Sequence, residues 1–242
     1  MSSLIAICTV LFTAPPELPV AAAPASTPAS ASAKKPAAAK PAEPVARGPE
    51  RAVLDRVQRF YEKTTDLRAD FIQRYTRVAL SKTSESKGRV SLKKPGMMRW
   101  DYETPVEKHF ITDGQKLYVY EPEDEQVIVD QSFKSSAMSS SLAFLFGQGR
   151  LEDSFTAKLL DPKAVEAKPG FDVLELTPKK DATYAKLVLV TDPKTGQVLE
   201  SILFETAGNL NRFEFVGTKT NVGIPDADFS FQPPKGVEVV TQ

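Results

Sequence analysis

Residues 91–127 read SLKKPGMMRWDYETPVEKHFITDGQKLYVYEPEDEQV. Val90 and Leu92 alternate with Arg89 and Lys93, Lys94-Pro95-Gly96 supplies a turn, and Met98, Trp100 and Tyr102 then alternate with Arg99 and Asp101. Asp113-Gly114 supplies a second turn, followed by a strand over 116–120. Period-2 alternation broken by Pro-Gly and Asp-Gly predicts consecutive hairpins. Within the last strand Leu117 and Val119 point one way and Tyr118 and Tyr120 the other, so both faces are apolar. A sheet built from such strands has to be covered on both sides or hold an apolar guest.

The alternation continues on either side. Ala69, Phe71, Gln73 and Tyr75 alternate with Asp70, Ile72 and Arg74, and further strands are expected over 125–129, 155–160, 171–177, 184–191, 198–206, 212–218 and 229–231. Asp192-Pro193-Lys194-Thr195-Gly196 and Ala207-Gly208-Asn209 are turns. No helical crossovers separate these runs, which predicts an antiparallel sheet. About ten strands in succession curl into a barrel, whole or open on one side. Two helices interrupt the pattern. Gly48-Pro49-Glu50 opens the first, whose apolar stripe is Val53, Leu54, Val57, Phe60 and Tyr61. The second is expected within 135–146 (SSAMSSSLAFLF), ended by Gly147, with Leu142, Leu145 and Phe146 on one face as a lid over the sheet.

The N-terminal segment is different in kind. Residues 1–49 hold 9 of the 19 prolines, which separates them from the strand-rich remainder. Residues 4–14 (LIAICTVLFTA) form an apolar run too short to span a membrane and suited to the core of a secretory signal, with Ala21-Ala22-Ala23 as small residues for cleavage, although no Lys or Arg precedes the run. The expected organisation is a signal over 1–23, an Ala/Pro/Lys-rich flexible linker over 24–48 and one folded domain over 49–242. Cys8, the only cysteine, follows the bulky Ile7 and reads as an ordinary residue of the apolar run rather than an acylation site. No intrachain disulfide and no cysteine-based metal site can form.

Lys+Arg and Asp+Glu balance at 31 each, so no nucleic-acid partner is expected. The single histidine, His109, lies beside Phe110 and Ile111 on a strand and reads as structural. There is no Walker loop, no G-x-G-x-x-G, no G-x-S-x-G and no spaced His/Cys set, so no cofactor, no metal and no catalytic residues are expected. Glu121, Glu123, Asp124 and Glu125 around Pro122 read as a solvated turn.

Five motifs in order resemble the LolA family of periplasmic lipoprotein carriers. They are Leu67-Arg68-Ala69-Asp70-Phe71-Ile72-Gln73; Gly88 to Trp100 with Lys94-Pro95 and Arg99-Trp100; Thr112-Asp113-Gly114 with Leu117, Tyr118, Tyr120, Pro122 and Gln126-Val127; Leu176-Thr177-Pro178-Lys179; and Phe229, Phe231, Pro233-Pro234, Gly236-Val237. The resemblance implies an unclosed antiparallel barrel with a helical lid over an apolar cavity. It implies acylated lipoprotein cargo, received from an ATP-driven inner-membrane complex and passed to an outer-membrane receptor, in a soluble periplasmic protein that acts as a monomer and is not itself an enzyme. Phe71, Met98, Trp100, Tyr102 and Tyr118 are the expected cavity-lining residues. The family usually has Arg immediately before the hairpin proline, where this chain has Lys94, so a polar contact from Lys94 is expected to close the lid with a single ammonium in place of a planar fork. The rival readings are a non-enzymatic lipid-binding or envelope-sensing protein of the same fold, an anchored receptor, and a hydrolase.

Overall fold

A computed structural model describes residues 48–131, 133 and 150–242. The expected signal, the expected linker up to residue 47, and the expected lid residues Leu142, Leu145 and Phe146 lie outside the described residues. Helix α1 (Pro49–Lys63) begins with proline in its first turn and buries Val53, Leu54, Val57, Gln58 and Tyr61, a stripe at i, i+3, i+4. A long hairpin follows: β1 (Asp66–Arg77) and β2 (Lys82–Lys93) pair without interruption from Asp66 against Lys93 to Arg77 against Lys82. Strands β3 (Met97–Thr104), β4 (Lys108–Thr112), β5 (Leu117–Glu121) and β6 (Gln126–Asp130) complete the first half. Helix α2 (Leu151–Ser154), β7 (Phe155–Leu160), β8 (Asp172–Pro178), β9 (Tyr184–Thr191), β10 (Val198–Glu205), β11 (Leu210–Thr220) and β12 (Glu238–Thr241) make up the second.

The twelve strands form one sheet in the order β12-β6-β5-β4-β3-β2-β1-β11-β10-β9-β8-β7. Neighbours are antiparallel throughout except for β12, which runs parallel to β6. The meander closes on itself through β1 against β11, while β12 and β7 stand at opposite ends of the order, so the barrel is open. A twisted sheet of this width curls rather than lying flat.

Register divides the sheet into two apolar faces, and each is covered. The inner face carries α1, which packs on β7 and β8; Arg56 binds Asp172 at 2.6 Å and the Tyr61 hydroxyl accepts from the Val198 amide at 3.3 Å. The outer face of β2–β6 is crossed by the chain after β11. Lys93 Nζ donates to the Ile224 carbonyl, Arg68 binds Asp228 at 2.6 Å, Arg99 donates to the Asp228 carbonyl at 3.2 Å, and Phe231 lies 5.5 Å from both Tyr118 and Tyr120. Ile224 and Phe229 are buried beneath this strap. A second outer cluster, Val173, Val188, Val190 and Ile202 with Val165 and Ala167, covers the other half.

The strand expected over 229–231 is not one. Asp226–Phe229 is a 3₁₀ turn, and Pro233-Pro234 withholds two amides from any ladder, so pairing resumes only at β12. Burial of Phe229, not strand alternation, explains the apolar residues there.

Candidate functional site

The inner face gathers the aromatic residues. Leu67 in β1 pairs with Leu92, Ala69 with Val90, and Phe71 with Gly88; across β2 and β3, Leu92 meets Met98, Val90 meets Trp100 and Gly88 meets Tyr102. Trp100 in turn pairs with Phe110, and Phe110 with Val119. On the other flank Phe71 and Gln73 pair with Phe215 and Phe213 of β11. Alternation therefore puts Phe71, Met98, Trp100, Tyr102, Phe110, Phe213 and Phe215 on one surface.

Phe71 is the centre of that surface. Its ring centroid is 5.0 Å from Trp100, 4.9 Å from Tyr102 and 5.8 Å from Phe213, and Trp100 lies 5.3 Å from Phe213 and 6.3 Å from Phe215. Edge-on and tilted contacts of this kind suit the aromatic quadrupole. Gly88 makes the arrangement possible. A Cβ there would lie 1.9 Å from the Asp101 carbonyl oxygen and 2.9 Å from the Phe71 ring. Phe71, Met98, Trp100 and Tyr102 are all buried, whereas Phe213 and Phe215 are half-buried. Burial pushes the Tyr102 hydroxyl's pKa up, so it stays protonated at any ordinary pH.

Polarity rises toward one end of the face. Gln73, itself buried, donates to Asn211 at 2.9 Å, and beyond them the Tyr75 hydroxyl and the Asn209 amide both bond Glu205, at 3.1 and 3.0 Å. Among the described residues no group of three or more His, Cys, Asp or Glu side chains is arranged to hold a metal ion.

Tyr118 does not join the other four expected lining residues. Val119 pairs with Phe110 on the inner face, so Tyr118 points outward, where it packs on Phe231. The register thus puts Tyr118 on the opposite face from Phe71, Met98, Trp100 and Tyr102. His109 is also on the outer face: Nδ1 lies 2.6 Å from Asp101, Nε2 3.0 Å from Glu107, and the ring stacks on Tyr120 at 5.7 Å. The hydrogen bond to Asp101 raises the histidine's pKa, with the Asp101 and Glu107 charges adding to it and burial opposing. Its surroundings are those of a structural ion cluster.

Lys94 does make a closing contact, but the one described is with α1. Its ammonium donates to the Tyr61 carbonyl at 2.6 Å and the Glu62 carbonyl at 3.1 Å. These carbonyls belong to the last turn of a helix, whose C-terminal end attracts cations. Burial lowers the lysine's pKa, and the Glu62 charge works against that shift. The tie among the described residues joins the β2–β3 turn to the helix over the inner face, and the expected partner segment, 135–146, lies outside them. Lys94→Leu is expected to lower unfolding free energy by about 2 kcal/mol, with Lys94→Arg retaining it, as read by urea denaturation. Equal stability of the Lys94→Leu variant and the wild-type protein would mean that the two hydrogen bonds contribute nothing.

Sequence reasoning had no means of finding Phe110, Phe213 and Phe215. Phe213 and Phe215 alternate with Arg212 and Glu214, so the strand was legible, but the partner strand that makes them neighbours of Phe71 lies far away in sequence.

Residues 62–232 match the family model described as "Outer membrane lipoprotein carrier protein LolA". The chain is similar to the outer-membrane lipoprotein carrier protein of Dechloromonas aromatica, 31% identical over 188 residues, which cover 77% of this chain and 86% of the relative. It is similar to that of Ralstonia nicotianae, 29% identical over 199 residues, covering 80% and 89%. Among solved structures, the LolA superfamily protein NE2245 from Nitrosomonas europaea covers 75% of this chain and 97% of its own at 13% identity and a TM-score of 0.40. With the family model spanning most of the domain and relatives near 30% identity matched over most of their length, this chain belongs to the LolA family of outer-membrane lipoprotein carrier proteins.

Proposed function

We propose that the protein carries lipoproteins between membranes by holding their acyl chains against the aromatic inner face. One observation supports this reading above the rest: an open sheet concentrates Phe71, Met98, Trp100, Tyr102, Phe110, Phe213 and Phe215 on a single surface, the last two of them half-buried. A sixteen-carbon chain exposed to water forfeits on the order of 12 kcal/mol relative to burial. A carrier must recover much of that and still release its load. Leu142, Leu145 and Phe146 are assigned the part of a lid that occupies the inner face when cargo is absent and returns as cargo leaves, offsetting its departure. The Lys94 contact to α1 holds the other cover in place.

The wider route belongs to the same reading. The N-terminal segment directs export to the periplasm, an ATP-driven inner-membrane complex loads the carrier, and an outer-membrane receptor unloads it. No helix among the described residues is long and apolar enough to cross a membrane.

Site-specific photocrosslinking tests the proposal. Crosslinkers at Met98 and Phe213 are expected to label acylated cargo in cells, and one at Tyr118, on the outer face, to stay unlabelled. Equal labelling at the three positions, or none at Met98 and Phe213, would remove the inner face from consideration.

A further inference from the structure

Trp100 presents an unmet need inside the proposed acyl site. It is 6% exposed, and its Nε1 is buried with no hydrogen-bond partner among the described residues. A buried indole N–H ordinarily finds an acceptor, because leaving one unpaired forfeits the hydrogen bond it made to water. The nearest rings, Phe71, Phe213 and Phe215, offer π faces and no lone pairs. Three buried polar side chains around this face are bonded: Gln73 to Asn211, the Tyr61 hydroxyl to the Val198 amide, and the Gln58 carbonyl oxygen to the Leu151 amide. Among the described residues on this side, Arg51 Nε, Arg56 Nε and Glu205 Oε1 also lack a hydrogen-bond partner, but both arginines pair with carboxylates and Oε2 of Glu205 is bonded twice. The orphan donor thus sits within the apolar stretch, where a pure hydrocarbon guest would leave it unpaired.

An acyl ester supplies the missing partner. It is apolar along its chain and carries one strong acceptor, the carbonyl oxygen, with no donor of its own. The neighbouring polarity has the same order: rings at Phe71 and Phe213, then the Gln73–Asn211 amides, then Glu205 with Tyr75 and Asn209. That sequence suits a ligand that changes from hydrocarbon to ester to polar head. We propose that Trp100 is a specificity residue, donating its indole N–H to the carbonyl oxygen of a bound acyl ester, so that the site prefers ester-linked to ether-linked chains of equal length. The inference rests on the carrier reading and narrows it to a linkage.

Trp100 is the only tryptophan in the chain, so its indole can be observed without interference. The full chain is titrated with dioctanoylglycerol and with its ether analogue dioctylglycerol, each displacing a bound anilinonaphthalene sulfonate probe. Wild-type protein is expected to bind the ester roughly tenfold more tightly than the ether, the effect of satisfying one buried donor. In Trp100→Phe the ratio falls to near one. Ultraviolet resonance Raman of the wild-type indole is expected to show a newly hydrogen-bonded N–H with the ester alone, a readout that holds even if the variant fails to fold. A wild-type ratio near one, an unchanged ratio in the variant, or an indole band indifferent to the ester each overturns the proposal. Failure of both diglycerides to displace the probe overturns the carrier reading, and the linkage preference with it; binding of both without preference overturns only the preference.

Discussion

Gly88→Ala is expected to destabilise the protein by about 3 kcal/mol, far more than an alanine on a strand ordinarily does. The new methyl would lie 1.9 Å from the Asp101 carbonyl oxygen and 2.9 Å from the Phe71 ring. The first neighbour is backbone in the adjacent strand, so relief requires β2 and β3 to part. The irregularity in their pairing between Lys87 and Gly88 is at the same place. The second neighbour is the ring at the centre of the inner aromatic surface, with Tyr102 and Trp100 packed on either side. Displacing it disturbs its contacts with Tyr102, Trp100 and Phe213 at once. Chemical denaturation measures the loss, and near-ultraviolet circular dichroism reports whether the aromatic cluster has rearranged. Unchanged stability would mean that the β2–β3 pairing yields easily, and the close approach at Gly88 would then have no structural importance.

Strand positions and their turns were legible because they are local. Lys94-Pro95-Gly96 and Asp113-Gly114 fall where the chain reverses, and Gly96 takes φ +76°, a conformation that other residues adopt with strain. The division of the strands into two faces was not legible, because both faces are apolar. Leu117 and Val119 face inward and Tyr118 and Tyr120 outward, yet residue type alone favours the tyrosines for an aromatic site. Only register joins Val119 through Phe110 to Trp100, and register is a relation between strands rather than a property of one. The partner of Lys94 was hidden for a similar reason. Backbone carbonyls at the end of a helix are the same for every sequence, so nothing in residues 61–62 announces them as acceptors. The strap after β11 was misread because Phe229 and Phe231, two residues apart, mimic strand alternation while serving, with Ile224, as separate anchors.

The two faces imply opposite consequences for two phenylalanines, and this separates structure from carriage. Phe229→Ala is expected to cost about 4 kcal/mol of stability, since the ring is fully buried under the outer strap and a truncation there leaves a cavity. The strap's polar ties, from Arg68 and Arg99 to Asp228 and from Lys93 to Ile224, flank that ring and cannot follow it inward without breaking. Cargo affinity in the surviving folded fraction should be unchanged, because the sheet separates Phe229 from the inner surface. Phe213→Ala should behave in reverse. Its ring is half-buried, so less packing is lost on folding, but it forms part of the surface on which acyl chains are proposed to rest, against Phe71 and Trp100. Melting curves and probe-displacement titrations on both variants give the comparison. A Phe229 variant that loses ligand affinity while folded, or a Phe213 variant that loses stability while binding normally, would show that the faces do not divide the work in this way. Such a division follows from the first property of the chain, strands apolar on both sides: one side needs a permanent cover, and the other can accept a removable one.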